Sequence, residues 1–207
     1  MSGPRAAVSF LTPFGRATEP SASAFAWFPT VGAAMGALLG LLWWAAAHLW
    51  PAAVVAAIVV GADLGLTGLL HIDGLVDTAD GLLPHLSRER RLAVMREPSI
   101  GAFGIAAGAA VLLARFAAIG SIHPSVLLLV GIWCGSRAVM AVAPSLLPYA
   151  RGDGGLATSF LAPEGRGPAV VAAITGLGGL FGAAMAWRPL GGAVAALSGL
   201  VAASGVL

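Results

Sequence analysis

Three aspartates, Asp73, Asp77 and Asp80, crowd into the string His71-Ile72-Asp73-Gly74-Leu75-Val76-Asp77-Thr78-Ala79-Asp80-Gly81 of a 207-residue chain that carries only nine acidic residues in all. If the string is helical, positions i, i+4 and i+7 stack on one face at 3.6 residues per turn. At a separation of roughly 6 Å and an effective dielectric of about 20, each like-charged pair would cost about 3 kcal/mol. Three ionised neighbours therefore call for a bound cation or for protons. Carboxylate oxygens with no thiolate nearby favour a hard ion such as Mg2+ over zinc, which makes Asp73, Asp77 and Asp80 the expected metal ligands. A solvated helix end is the plainer alternative, and against it stands the placement of the string directly after an apolar run.

The elements that must position these groups are membrane helices. The chain is 58% hydrophobic and 10% charged, with a mean hydropathy of +0.92, whereas globular domains average about 25% charged residues. A single integral membrane domain over residues 1–207 is expected, since no polar linker divides the chain. The net charge of +2 is made wholly with Arg. Those residues fall in loops beside apolar runs, where charge encodes membrane orientation, so the basic balance does not indicate nucleic-acid binding. The one cysteine, Cys134, lies inside an apolar run and offers neither a disulfide framework nor a thiolate metal site. No basic start, apolar run and small-residue cleavage site follow one another in the order of a secretory signal, so the N-terminal segment is expected to be part of the mature chain.

Taken in order, residues 6–14 are too short an apolar run to cross about 30 Å of hydrocarbon and read as an interfacial segment. Apolar spans follow over 28–50, 52–70, 100–120, 124–147, 168–187 and 190–207, about six in all. With no strand-like alternation, the fold class is an all-α polytopic bundle, because helices satisfy their own backbone groups in lipid. Gly32, Gly36 and Gly40 recur every four residues in the first span, a face along which another helix can come close, within the chain or in a homo-oligomer. The second span is expected to run straight into the acidic string. Loop Arg residues set the orientation: Arg5, Arg16, Arg88, Arg90, Arg91, Arg96, Arg151 and Arg166 fall on one side and Arg188 alone on the other. That bias places the termini and the acidic string at the cytoplasmic face of a bacterial inner membrane. Two charges inside spans need partners: Asp63 is expected to pair with Arg137, or else Arg137 points onward to the acidic site, while Arg115, near a span end, is expected to snorkel.

The string His71-x-Asp73-Gly74-Leu75-x-Asp77-Thr78-x-Asp80-Gly81 resembles the signature of the cobalamin synthases, the membrane adenosylcobinamide-GDP ribazoletransferases. The likeness covers most of the chain. Phe10-Leu11-Thr12 with Phe28-Pro29-x-Val31-Gly32 resembles the opening of that family. Arg90 through Met95-Arg96 with Ile100-Gly101-x-Phe103-Gly104 resembles its second block, and Ser136-Arg137 with Tyr149-Ala150-Arg151 its third. The sequence departs from the pattern at Leu69, where the family usually has Gly, at Glu97-Pro98-Ser99, and in lacking a Thr-Gly-Asp segment before Leu207. If that segment completes the site or the bundle, a weakly active or inactive chain is the expectation.

The resemblance implies a reaction in which a ribose hydroxyl of α-ribazole, or of its 5′-phosphate, attacks the cobinamide-side phosphate of adenosylcobinamide-GDP and GMP leaves. Displacement at a diphosphate builds charge on the leaving and non-bridging oxygens and depends on positioning and cationic stabilisation. Asp73, Asp77 and Asp80 would then hold Mg2+ at the diphosphate, with one of them or His71 taking the hydroxyl proton. Arg90, Arg91, Arg96 and Arg151 are candidates to grip phosphate oxygens through bidentate pairs, with Arg137 and Asp153 as further substrate-binding candidates. Two other readings stay open. A CDP-alcohol phosphotransferase also clusters Asp residues around Mg2+, but its pattern places Ala-Arg soon after Asp-Gly. An ion or proton transporter would keep its carboxylates near the membrane midplane.

Overall fold

The computed structural model describes residues 3–15, 21–147 and 167–187, with side chains followed to residue 184. Its elements in chain order are α1 (Gly3–Leu11), a short 3-10 helix (Ala22–Trp27), α2 (Phe28–Ala46), α3 (Ala52–Leu66), α4 (Leu70–Leu82), α5 (Arg88–Val94), α6 (Ala102–Ser121), α7 (Val126–Leu146) and α8 (Gly167–Trp187). Among the described residues there is no strand. Four helical segments among the described residues are long and apolar enough to cross a membrane, and a fifth crossing results if the bent pair α3 and α4 is counted as one. The expected span over 190–207 lies outside the described residues. The chain forms two compact units, one from the residues before Leu49 and after His123, the other from Leu49–His123.

In the first unit, α2 lies along α7 and α7 along α8. Glycine makes both approaches possible. A Cβ at Gly32 would come 3.1 Å from the Trp133 carbonyl carbon, at Gly36 2.7 Å from the Leu129 carbonyl carbon, and at Gly40 2.7 Å from Val126 Cα. The glycine face foreseen in the sequence is therefore the seat of α7 within the chain. The second contact is built the same way, with Gly135 of α7 against Leu180, and Gly179 of α8 against Cys134. Small residues are what allow helices to pack when lipid tails compete equally for apolar surface. The interfacial segment is α1, which buries Ala7 and Leu11 completely. It is clamped by Phe10 stacked on Phe28 at 5.6 Å, while Phe25 meets Phe28 edge-on at 5.2 Å.

The second unit departs from the expected straight span. After 15 residues, about 22 Å of helix, α3 stops at Leu66, and α4 leaves at 88° to it. Two successive left-handed residues make the corner, Gly68 (φ 56°) and Leu69 (φ 62°). Thr67 closes α3 by donating its hydroxyl to the Asp63 carbonyl at 2.8 Å. Only at this break does the chain change direction between the apolar run and the acidic string, so the aspartates begin a new helix.

α6 packs on α3 and α4 and exposes Phe103, Ile105, Val111, Leu113 and Phe116. Such an apolar surface fits lipid contact. Asp63, 5% exposed, accepts a hydrogen bond from Arg115 Nη2 at 2.7 Å. Arg115 is thus an ion-pair partner inside the unit and does not simply snorkel. Asp63 takes a cation from 52 residues along the chain.

Candidate active site

The acidic string folds as α4, and the three aspartates share one stripe of it as their spacing requires. Their environments differ. Asp73 is exposed, Asp77 half-buried, and Asp80 buried at 8% exposure. Asp80 Oδ2 accepts from Gly101 N at 2.7 Å and Oδ1 from Gly104 N at 2.8 Å. Gly101 caps α6 and Gly104 lies in its first turn, where helical N–H groups lack intrahelical partners. A Cβ at Gly101 would stand 2.8 Å from Asp80 Cγ, and one at Gly104 2.7 Å from Val76 Cγ1. Both glycines are therefore spaces into which α4 fits.

His71 sits half-buried in the first turn of α4, with its Nε2 shielded from solvent. α5 docks on the other end of α4. There the Met95 side chain rests on Gly81, and any Cβ at position 81 would fall 2.7 Å from Met95 Cγ. α5 starts at Ser87, whose hydroxyl accepts from Arg90 N at 3.3 Å. Glu89 in its first turn titrates below the usual carboxylate range, chiefly because a backbone N–H at its own position bonds it, then through the Ser87 hydroxyl and the nearby Arg88 charge. Of the expected phosphate-gripping groups on this segment, Arg90 pairs with Glu97 at 3.1 Å with both side chains exposed. Arg96 is exposed. Arg91 is half-buried, and its Nε is enclosed with no hydrogen-bond partner.

Arg137 lies in the first unit at 7% exposure. Its stem crosses Gly32, where a Cβ would be 3.1 Å from Arg137 Cγ, and its Nη1 donates to Ser136 Oγ at 2.9 Å. Arg151 and Asp153 lie outside the described residues. Among the described residues, no three His, Cys, Asp or Glu side chains converge where one ion could be held. Asp73 and Asp80 are separated by about 10 Å of helix rise, more than one small ion can bridge. What remains is Asp73 and Asp77, one turn apart. That donor set fits Mg2+, which is commonly held through one or two carboxylates with water and substrate phosphates completing its shell.

Spacing alone did not identify Gly81, Gly101 and Gly104 as the sockets around α4. The available signal was the pair of glycines opening a helix after a polar loop, at a distance of 21 and 24 residues from an acid.

A family model described as cobalamin-5-phosphate synthase matches residues 3–207. Among similar curated proteins, an adenosylcobinamide-GDP ribazoletransferase of Chlorobium phaeovibrioides is 37% identical over 179 residues, 83% of this chain and 71% of the relative. One of Chlorobaculum tepidum is 36% identical over 177 residues, 81% of this chain and 66% of the relative. One of Deinococcus radiodurans is 39% identical over 204 residues, 90% of this chain and 75% of the relative. No solved structure matches the chain.

Proposed function

The chain belongs to the cobalamin-5-phosphate synthase family, and on that premise we propose that it transfers the cobinamide phosphate of adenosylcobinamide-GDP to α-ribazole or its 5′-phosphate, with Mg2+ and at the cytoplasmic face of the bacterial inner membrane. A bond forms between the ribose oxygen and the cobinamide-side phosphorus. The bond from that phosphorus to the bridging oxygen breaks, and GMP leaves with the bridging oxygen. The hydroxyl proton passes to His71 or to a carboxylate of α4. The carrying observation is the family match over residues 3–207 with the whole acidic string present on one helix.

In this reading Asp73 and Asp77 hold the ion, which when bound supplies Lewis-acid neutralisation of diphosphate charge. Arg91 and Arg96 on the α5 segment grip phosphate oxygens, and Arg90 joins them on leaving Glu97. Arg137, Arg151 and Asp153 are further substrate-binding residues in the proposal. The eight-to-one distribution of loop Arg residues supports a cytoplasmic site. The test is GMP release by the purified chain in detergent or nanodiscs, given adenosylcobinamide-GDP and α-ribazole. Release that needs both substrates and stops on chelation is expected. Transfer from a CDP-alcohol instead, or GMP release that does not require α-ribazole, would overturn the proposal.

A further inference from the structure

We infer that Asp80 is a positioning residue that locks α4 to the start of α6, and that the cation is left to Asp73 and Asp77; the second half of this rests on the function proposed above. Both carboxylate oxygens of Asp80 are already engaged, each by a backbone N–H of α6, at 2.7 and 2.8 Å. Those N–H groups belong to a helix N-terminus, which carries partial positive charge. A carboxylate there is held by charge-assisted hydrogen bonds, while a cation brought to the same oxygens would face the positive ends of the same dipoles.

The glycines complete the device. At 101 and 104 any side chain would occupy the space of the carboxylate. Val76, one turn before Asp80, lies against Gly104 and against Gly108, where a Cβ would be 3.2 Å from Val76 Cγ2. Val76 and Asp80 are thus the edge of α4 that faces α6. Asp77 lies about 60° around the helix from Asp80, and Asp73 two turns back, so the latch fixes the rotation at which both are presented. A second consequence follows for substrate. The α6 N-terminus, otherwise a ready anion site, is filled by the protein's own carboxylate. The diphosphate must then be held by Arg side chains.

The experiment compares Asp73→Asn, Asp77→Asn, Asp80→Asn and Gly104→Ala in the full chain in nanodiscs. Three quantities are read: Mn2+ affinity by electron paramagnetic resonance without substrate, the thermal midpoint, and GMP release against Mg2+. Asp73→Asn and Asp77→Asn should weaken Mn2+ binding by about tenfold or more, leave the midpoint in place, and recover activity at raised Mg2+. Asp80→Asn should lower the midpoint by about 3–10 °C, keep Mn2+ affinity within about twofold, and lose turnover that Mg2+ does not restore. Gly104→Ala, which displaces the carboxylate while keeping it, should repeat the Asp80→Asn pattern. It serves alone if Asp80→Asn does not fold. The inference falls if Asp80→Asn or Gly104→Ala weakens Mn2+ binding about tenfold at an unchanged midpoint. Wild-type Mn2+ binding by Asp73→Asn and Asp77→Asn would instead overturn the cation assignment, and a lowered midpoint for Asp80→Asn would still support the latch.

Discussion

Leu69 holds the corner between α3 and α4 in the left-handed region, at φ 62°, and replacing it isolates the strain stored there. A non-glycine residue in this conformation costs about 1–2 kcal/mol. Leu69 is 53% exposed, so Leu69→Gly also removes half-buried apolar surface, and comparing it with the leucine itself would mix two effects. The informative pair is Leu69→Ala and Leu69→Gly, which lack the same side chain and differ in a single Cβ. Glycine gains relief of the left-handed strain and gives back about 0.4–1 kcal/mol of unfolded-state entropy. The balance favours Gly over Ala by about 0.5–1 kcal/mol, the reverse of a helix interior, where Gly is worse by about 1 kcal/mol. For a chain of this size that is a rise of about 1–4 °C in the thermal midpoint, followed by circular dichroism at 222 nm. An Ala variant more stable than the Gly variant by a comparable margin would mean that position 69 is ordinary helix and that the 88° corner has another cause.

Three other outcomes follow from named contacts. Arg115→Met removes the 2.7 Å hydrogen bond to the buried Asp63 carboxylate and should destabilise by about 1.5–3 kcal/mol, while adding Asp63→Asn should restore much of the loss in detergent melts. Gly36→Ala drives a methyl toward the Leu129 carbonyl and should cost about 1–3 kcal/mol, whereas Gly61→Ala, with nothing within 4 Å of its Cβ position among the described residues, should be near neutral. A cysteine at exposed His85, against a background of buried Cys134, should react with an impermeant thiol reagent from the cytoplasmic side only; labelling from outside intact cells would reverse the orientation drawn from the Arg count.

The helical bundle, the acidic face and the glycine seat of α7 are legible in the sequence because each is a local period: apolar runs, i/i+4/i+7 acids, and Gly at every fourth residue. The corner at Thr67–Leu69 is not, since no proline interrupts the hydropathy there and the second left-handed residue is a leucine, a residue type that rarely adopts that conformation. The Asp63–Arg115 pair and the Asp80 latch are hidden for a different reason. Both join residues 21 to 52 positions apart, and periodicity carries no information about which helix will lie beside which. Sequence alone therefore assigns one role to three aspartates that the fold then separates.

That separation shows why having a partner means different things at different places. Asp80 and Arg90 are both engaged within the second unit, yet on the inference drawn above only Asp80 is withdrawn from the chemistry. Each hydrogen bond to its buried carboxylate contributes about 1.5–3 kcal/mol, and exposing the charge to a rival ligand would leave two helix N–H groups unsatisfied. The Arg90–Glu97 pair, with side chains 59% and 44% exposed, contributes about 0–1 kcal/mol. A diphosphate bound bidentately would outbid Glu97 easily. Motif blocks far apart in the chain thus reduce to close approaches between a charged side chain and a glycine backbone: Asp80 on Gly101 and Gly104 in one unit, the Arg137 stem over Gly32 in the other. At Asp80 the glycines let the α6 backbone fix the charge through its own N–H groups, and at Gly32 the missing side chain lets α2 lie against the Arg137 stem. Such preorganisation is what a diphosphate displacement needs, because its charge develops at a position that the protein must already have prepared.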